Sequence, residues 1–351
     1  MADIKEIDLQ KIESLDEFFT LTQNVGSLAK ATSNNLYGIN HQGVKGVIPE
    51  NRDSYGLVFF TRPQLNLTAT NLRNIRKMYS LLSNNPNSIH RYIRCMLDPR
   101  LKFDNITTPL VDNQMAFIPV LTNNIKNMSG WPDVVMPTFT SKEGVRREQW
   151  SIADGYTDIY ESFDIDCTFK NTRDEPIILM LQTWLTYMGG VFEGMMSPYM
   201  DFITENEIDY NTRIYRLVLD ESKMIVKKIA ATGASFPVNV PTGKFFDFTD
   251  STKYNDQTKE INVRFKSVGA EYNDDILIKE FNETSAIFNG DIRNLLNKRP
   301  HNLEKIPPSL LEVFNNRGYP IINTDTLELE WWISKSSLTY KKIIASLKTG
   351  E

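Results

Sequence analysis

Histidine and cysteine, two residue types common at catalytic and metal sites, are few in this chain and scattered along it. The histidines are His41, His90 and His301, and the cysteines are Cys95 and Cys167. A zinc site needs Cys or His in closely spaced pairs, and none of these residues has such spacing. His90 and Cys95 lie five residues apart in a helical pattern, which places them on different faces of a helix. The spacing therefore argues against a metal site and against a Cys-His nucleophile.

Asp164 and Asp166 are further candidates for chemistry, because two neighbouring carboxylates can act as general acid and base. They alternate with apolar residues between Phe163 and Phe169. Such alternation is typical of a strand with one buried and one hydrated face, and this interpretation is favoured. Gly243-Lys244 does not belong to a phosphate loop, because the pattern G-x-x-x-x-G-K-S/T is absent. The sequence predicts no catalytic, cofactor-binding or metal-binding residue.

The charge of the chain argues against a protein that grips DNA by its phosphates. The 351 residues carry 39 Lys and Arg against 44 Asp and Glu, a net charge of −5, without a basic tail or block. The first residues are charged and contain no apolar stretch, so we expect no signal peptide. The two cysteines lie outside any paired motif, which suits a reducing cytoplasm.

One apolar stretch, residues 177–196, is about as long as a membrane span. Gln182, Gly189-Gly190 and Glu193 interrupt it. A buried core helix that ends at Gly189-Gly190 is therefore predicted, and no membrane contact.

The first part of the chain divides into two regions. Residues 1–51 are polar and weakly periodic, so we expect an extended N-terminal arm that is ordered only by contacts with other chains. Residues 52–154 form an α/β accessory region with a β-prone run at 55–60 and a helix over 72–82. A hairpin is predicted around the tip Lys142-Glu143-Gly144.

The clearest pattern occupies residues 155–275. An alternating strand at 159–170 is followed by the apolar helix from Pro176, a hairpin over 212–231 and a second alternating strand at 259–266. The apolar residues of this segment are candidates for its core or its assembly contacts: Phe163, Ile165, Trp184, Phe236, Pro237, Ile261, Val263 and Phe265. Residues 276–351 form a C-terminal extension, in which a strand near Trp331 and a last helix are predicted.

In this order the elements resemble tail-tube-fold virion proteins of contractile-tailed bacteriophages. That family carries a strand, a helix with a central aromatic residue, an Asp-Tyr entry to a strand ending near Leu-Asp, an Ala-x-Phe-Pro turn and an alternating strand. The matching positions here are Phe163–Phe169, Trp184, Asp209-Tyr210, Leu219-Asp220, Ala234–Pro237 and Ile261–Phe265. The resemblance implies an α+β fold: a tail-tube-like β-sandwich or barrel domain with a packed helix, between helical and β extensions.

The resemblance also implies a structural virion protein without catalytic role or cofactor. Its copies would form a ring, a hexamer, whose sheets join into one barrel around a channel. DNA would pass through this channel without specific binding, so a polar and acidic lining is expected, and Asp164 and Asp166 are candidates for it. The partners implied are further copies, other tail tube proteins and baseplate proteins.

The regions outside 155–275 distinguish this chain from an ordinary tube subunit. Such additions resemble the baseplate proteins that initiate the tube, which favours a ring at the baseplate end. A principal tube protein and a ring at the neck end are alternatives. From another class come an enzyme without a recognisable motif and a carbohydrate-binding module, for which Trp131, Trp150 and Trp331 are candidate stacking residues.

Overall fold

The computed structural model describes residues 55–247, 250, 258–293, 299–307, 310, 318–337 and 340–341. Their strands are β1 Tyr55–Phe60, β2 Ile125–Ser129, β3 Thr138–Thr140, β4 Ser151–Ala153, β5 Ile159–Lys170, β6 Ile214–Leu219, β7 Val226–Pro237, β8 Glu260–Tyr272, β9 Leu303–Lys305, β10 Tyr319–Ile322 and β11 Leu329–Ser334. Their α-helices are α1 Ala69–Asn74, α2 Ile89–Leu97, α3 Pro119–Asn124, α4 Pro176–Phe192, α5 Met200–Glu205, α6 Asp275–Phe288, α7 Gly290–Arg293 and α8 Arg299–Asn302. The 3-10 helices are Arg76–Leu82, Pro99–Asp104 and Gly243–Phe245. The N-terminal arm predicted over residues 1–51 and the predicted last helix around Ile343 lie outside the described residues.

A six-stranded antiparallel sheet organises the fold. Its strand order is β1-β6-β7-β8-β5-β2. The two edge strands come from residues 52–154, and the four inner strands come from the tube-like segment 155–275. The sheet is therefore larger than that segment, because hydrogen bonds join strands from both regions.

This sheet curls into a nearly closed, barrel-like shape. The ring of Phe60 on β1 lies 5.9 Å from that of Phe169 on β5 and 5.5 Å from that of Phe265 on β8. In a flat sheet β1 and β5 would be about 19 Å apart, given the usual strand spacing. At the open side the Ile118 amide donates to the Phe60 carbonyl at 2.9 Å, and the chain then runs through α3 into β2. The predicted α+β, barrel-like fold with a packed helix is confirmed.

Helix α4 fills the concave side of the sheet. Trp184 at its centre is fully buried, and its indole Nε1 donates to the Tyr210 carbonyl at 3.0 Å. The strand residues in the same hydrophobic core include Phe60, Ile165, Cys167, Phe169, Ile261, Val263 and Phe265. The period-2 alternation of β5 and β8 produces this arrangement, because it sends one side chain in two toward the helix.

The prediction that Gly189-Gly190 ends α4 is wrong, since the helix continues to Phe192. A Cβ on Gly190 would lie 2.5 Å from Cδ1 of Ile75 and 3.0 Å from Cγ of Met196. Gly190 therefore lies at a close contact of α4 with these two side chains and does not reverse the chain.

Helix α6 covers the opposite face of the sheet, over β1 and β6, and the sequence interpretation did not include it. Asp274 caps it by accepting the Ile276 amide at 2.9 Å. Phe281 lies 5.2 Å from Phe59 and packs edge-to-face on Tyr215 at 5.3 Å. The small sheet β10-β11-β9 continues this layer. The predicted strand near Trp331 is β11.

The helix predicted over residues 72–82 is interrupted. Ile75 adopts an extended conformation between α1 and the 3-10 helix Arg76–Leu82. This break turns the chain so that Met78 and Leu81 enter the core.

A buried carboxylate, Asp98, joins three segments near α2. Its Oδ2 accepts the Leu67 amide at 2.9 Å and the Tyr199 hydroxyl at 2.8 Å, and its Oδ1 accepts the Arg100 amide at 3.1 Å. Asp98 is only 1% exposed, and burial raises its pKa to about 6. The ionised form is therefore less stable in the folded protein than in the unfolded chain.

This carboxylate makes stability depend on pH. Because the folded-state pKa exceeds the usual value of 3.8, the native protein binds more protons between these two pH values, and stability falls as pH rises through the window. We compare the free energy of unfolding of the wild type with that of Asp98→Asn at each pH. The wild-type value minus the variant value should fall by about 2 kcal/mol between pH 4 and pH 7. Urea denaturation of both proteins across this range measures the difference. A difference that grows with pH would contradict the expectation, because the three donors would then favour the ionised form.

Candidate assembly surface and channel face

One face of strands β5 and β8 is polar and open to solvent. Ile165, Ile261, Val263 and Phe265 point to the α4 core, and the residues between them point away from it. Asp164 and Asp166, the candidates for channel lining, lie on this outward face with 39% and 56% of their side chains exposed.

Cross-strand cations neutralise both carboxylates. Nζ of Lys266 lies 3.0 Å from Oδ1 of Asp164, and Nε of Arg264 lies 2.9 Å from Oδ1 of Asp166. NH1 of Arg264 is also 3.8 Å from Oδ2 of Asp164. The face is consequently a mixed ion-pair surface rather than the acidic surface that the sequence predicts.

The structure separates the predicted core and assembly residues into two groups. Ile165, Trp184, Pro237, Ile261, Val263 and Phe265 are buried. Phe163 and Phe236 are half-buried. Phe163 packs 6.5 Å from Trp131, and Phe236 packs edge-to-face on Tyr210 at 5.8 Å.

Residues 130–158, named the projection here, leave the sheet between β2 and β5 and contain β3 and β4. Every residue from 133 to 158 is exposed except Ser141, which is half-buried. Large apolar side chains are among the exposed ones: Val134, Val135, Met136, Phe139, Val145, Trp150, Ile152 and Tyr156. The predicted hairpin is present, with Phe139 opposite Ile152 in the register. Its tip lies at residues 145–147 instead of 142–144, because the Gly144 amide still donates across the hairpin to the Glu148 carbonyl. Its apolar exposure was not part of the sequence interpretation.

The root of the projection is anchored to the sheet. Trp131 packs edge-to-face on Tyr272 at 5.9 Å, and the Tyr272 hydroxyl donates to the Pro132 carbonyl at 2.6 Å. Gly130 has φ +102°, and a Cβ there would lie 2.2 Å from the Asp164 carbonyl oxygen. Only glycine fits this crossing of the chain over β5.

Substituting Gly130 tests the importance of this crossing. We expect Gly130→Ala to lower the free energy of unfolding by about 2–3 kcal/mol, because it combines a strained φ with a backbone clash. Gly194→Ala is the matched control, since Gly194 also has a positive φ (+72°) but a Cβ there would meet no neighbouring group within 4 Å. Urea denaturation should show a loss of about 1 kcal/mol for that control. Equal losses would mean that the clash is relieved at little cost.

The cysteines and the potential metal ligands show no sign of a reactive site. Cys95 and Cys167 are buried, and burial raises the pKa of both thiols, so neither is an activated nucleophile. Among the described residues, no group of three or more His, Cys, Asp and Glu side chains could hold a metal ion. Of the described helices, none combines the length and the apolar character needed to cross a membrane.

The tryptophans considered for sugar stacking lie in three different surroundings. Trp131 packs on Phe163 and Tyr272, and Trp331 lies 6.3 Å from Phe59. Trp150 packs on Phe139 at 6.1 Å.

A family model described as "Putative phage tail tube protein" matches residues 7–348. The chain belongs to this family. No curated protein matches it. The family assignment confirms the resemblance drawn from the order of the elements, and it makes the chain a structural component of the phage particle.

Three solved structures are similar to this tail tube protein. The anti-feeding prophage cap, a tube terminating cap, has 10% identity and a TM-score of 0.28, with 45% of this chain and 81% of that chain covered. The sheath/tube terminator of the extracellular contractile injection system PVC, in its extended state, has 10% identity and a TM-score of 0.26, with 45% and 88% covered. The PVC sheath-tube complex has 11% identity and a TM-score of 0.26, with 45% and 82% covered.

Proposed function

We propose that this tail tube protein forms a ring of six copies that initiates the tube at the baseplate end and surrounds the DNA channel. It acts as a structural component and catalyses no reaction. The observation that carries the proposal is the exposed apolar surface of the projection.

The projection exposes several large aromatic side chains. Phe139, Trp150 and Tyr156 are 48%, 59% and 87% exposed. Since one aromatic side chain offers about 150–250 Å², these three expose about 300–500 Å² before the aliphatic residues are added. The largest apolar patch of a typical monomer covers about 300–600 Å² and is often an interaction site, and a standard interface buries about 800 Å² per partner. In a family of tube proteins, a second copy of the chain is the partner that fits.

The open face of β5 and β8 supports the assignment of a channel lining. It is polar, while the opposite face of the same strands packs on α4. Such a face is hydrated and its charges are paired. It can therefore border a channel through which DNA passes without binding the DNA strongly. Asp164 and Asp166 are the lining residues proposed.

The layer formed by α6 and β9–β11 is an argument for a position at the baseplate end of the tube. It covers the sheet over β1 and β6 and leaves the polar face of β5 and β8 open. A subunit that initiates a tube must match the tube on one side and a different structure on the other. This additional layer and residues 1–51, proposed as an arm that contacts other chains, provide surfaces that stacked identical rings do not need.

A density map of the phage tail tests this function. We expect one ring of this chain, with sixfold symmetry, between the baseplate hub and the tube. Repetition of the chain along the whole tail would make it the principal tube protein, and a ring beside the portal would place it at the neck. Either outcome would contradict the baseplate position but not the ring.

A further inference from the structure

Acidic and basic residues face each other in register across the outward face of β5 and β8. Asp164 is the backbone partner of Lys266, and Asp166 is the backbone partner of Arg264. The side chains bond across the strands at 3.0 Å and 2.9 Å, and Arg264 contacts both carboxylates. The pattern is a ladder in which each of these two aspartates of β5 faces a basic residue of β8.

The same ladder continues to the end of the strands. Lys170 is the backbone partner of Glu260, and the Glu260 carboxylate bonds Nζ of Lys126 on β2 at 2.8 Å. Between these charged pairs lies the pair Thr168 and Asn262. The three register pairs contribute three acidic and three basic side chains, and Lys126 on β2 adds one further basic side chain.

Arg264 and Lys266 are of the types that bind nucleic-acid phosphates. Here each of them is already paired with a carboxylate, so a phosphate would have to compete with Asp164 or Asp166 and be repelled by both. Six copies of a purely acidic face, in contrast, would repel one another across a narrow channel. Paired charges avoid both adhesion to DNA and repulsion between the copies of the face.

We propose that Asp164 and Asp166 mask Arg264 and Lys266, so that this face does not hold DNA. The biological role of this masking rests on the proposed function, in which the face lines the DNA channel. The masking itself is a property of the single subunit and is measurable without a ring.

The test compares DNA binding by the full-length chain and its variants. Fluorescence anisotropy of a labelled duplex of about 20 base pairs is followed as salt is raised from about 20 to about 200 mM. We expect no binding by the wild type and measurable binding by Asp164→Asn/Asp166→Asn. The logarithm of its affinity should fall with the logarithm of salt with a slope of about −2, as expected for two phosphate contacts.

Two controls make the result specific. Adding Arg264→Gln and Lys266→Gln to the double variant should abolish the binding. Asp154→Asn/Asp158→Asn changes the net charge equally on the exposed projection and should not bind. Circular dichroism checks that each variant is folded.

Two results would overturn the proposal. One is a folded Asp164→Asn/Asp166→Asn variant that binds no better than the wild type. The other is equal binding by the Asp154→Asn/Asp158→Asn control, which would assign the effect to net charge. The density map of the tail separately decides whether the face lines the channel, so the two hypotheses can fail independently.

Discussion

Replacing Trp184 by alanine should destabilise the subunit by about 3–5 kcal/mol, because the substitution leaves a large cavity in the core. The indole is 0% exposed, and its Nε1 bond to the Tyr210 carbonyl at 3.0 Å would be lost as well. A loss of this size is a large part of the stability of an ordinary domain, so we expect insoluble or unassembled protein. Urea denaturation, or the soluble fraction where the variant does not purify, measures the effect.

Trp150→Ala is the matched control for this substitution. It removes the same type of side chain from the projection, where Trp150 is 59% exposed, and no core cavity results. Its effect on the free energy of unfolding should stay below about 1 kcal/mol. A folded and stable Trp184→Ala protein would show that α4 does not hold the sheet together.

The second large effect should be on assembly rather than on folding. We expect Trp150→Asp/Ile152→Asp to abolish ring formation, because two charges would be buried in an apolar contact between copies. The monomer should remain folded, since both side chains are more than half exposed in the isolated subunit. Light scattering after size exclusion, with negative-stain microscopy, reports the assembly, and circular dichroism reports the fold.

Phe103→Asp provides the control for the assembly experiment. Phe103 is 77% exposed on the 3-10 helix Pro99–Asp104, outside the projection. The variant should assemble as the wild type does. Rings formed equally by Trp150→Asp/Ile152→Asp would exclude the projection as the contact between copies.

The sequence predicts those parts of the fold that depend on local alternation. Strands β5 and β8 bury one face, and therefore Ile165 and Val263 are recognisable as core residues from the alternating pattern. Trp184 is recognisable in the same way, at the centre of an apolar helix. These features follow from periodicity alone.

Features that depend on neighbours distant in sequence could not be predicted. A glycine at a helix end and a glycine at a close helix contact look alike, so the role of Gly190 requires the positions of Ile75 and Met196. The partner of Asp164 is Lys266, and that pairing requires the register of β5 against β8. The alternation of β5 alone therefore predicts a polar face, and the strand pairing shows that its two aspartates are neutralised.

The strand order of the sheet determines when this protein can fold. Tyr55 pairs with Leu219 and Ile165 with Phe265, so the barrel-like sheet forms only after β8 has been synthesised. Contacts of such sequence separation require large loops to close and make folding slow. The projection is translated well before β6 and β8, so its apolar side chains leave the ribosome while the sheet that anchors them does not yet exist. Neighbouring nascent chains on one messenger RNA can therefore associate prematurely through these side chains. Rapid completion of the chain shortens the time between synthesis of the projection and synthesis of β8.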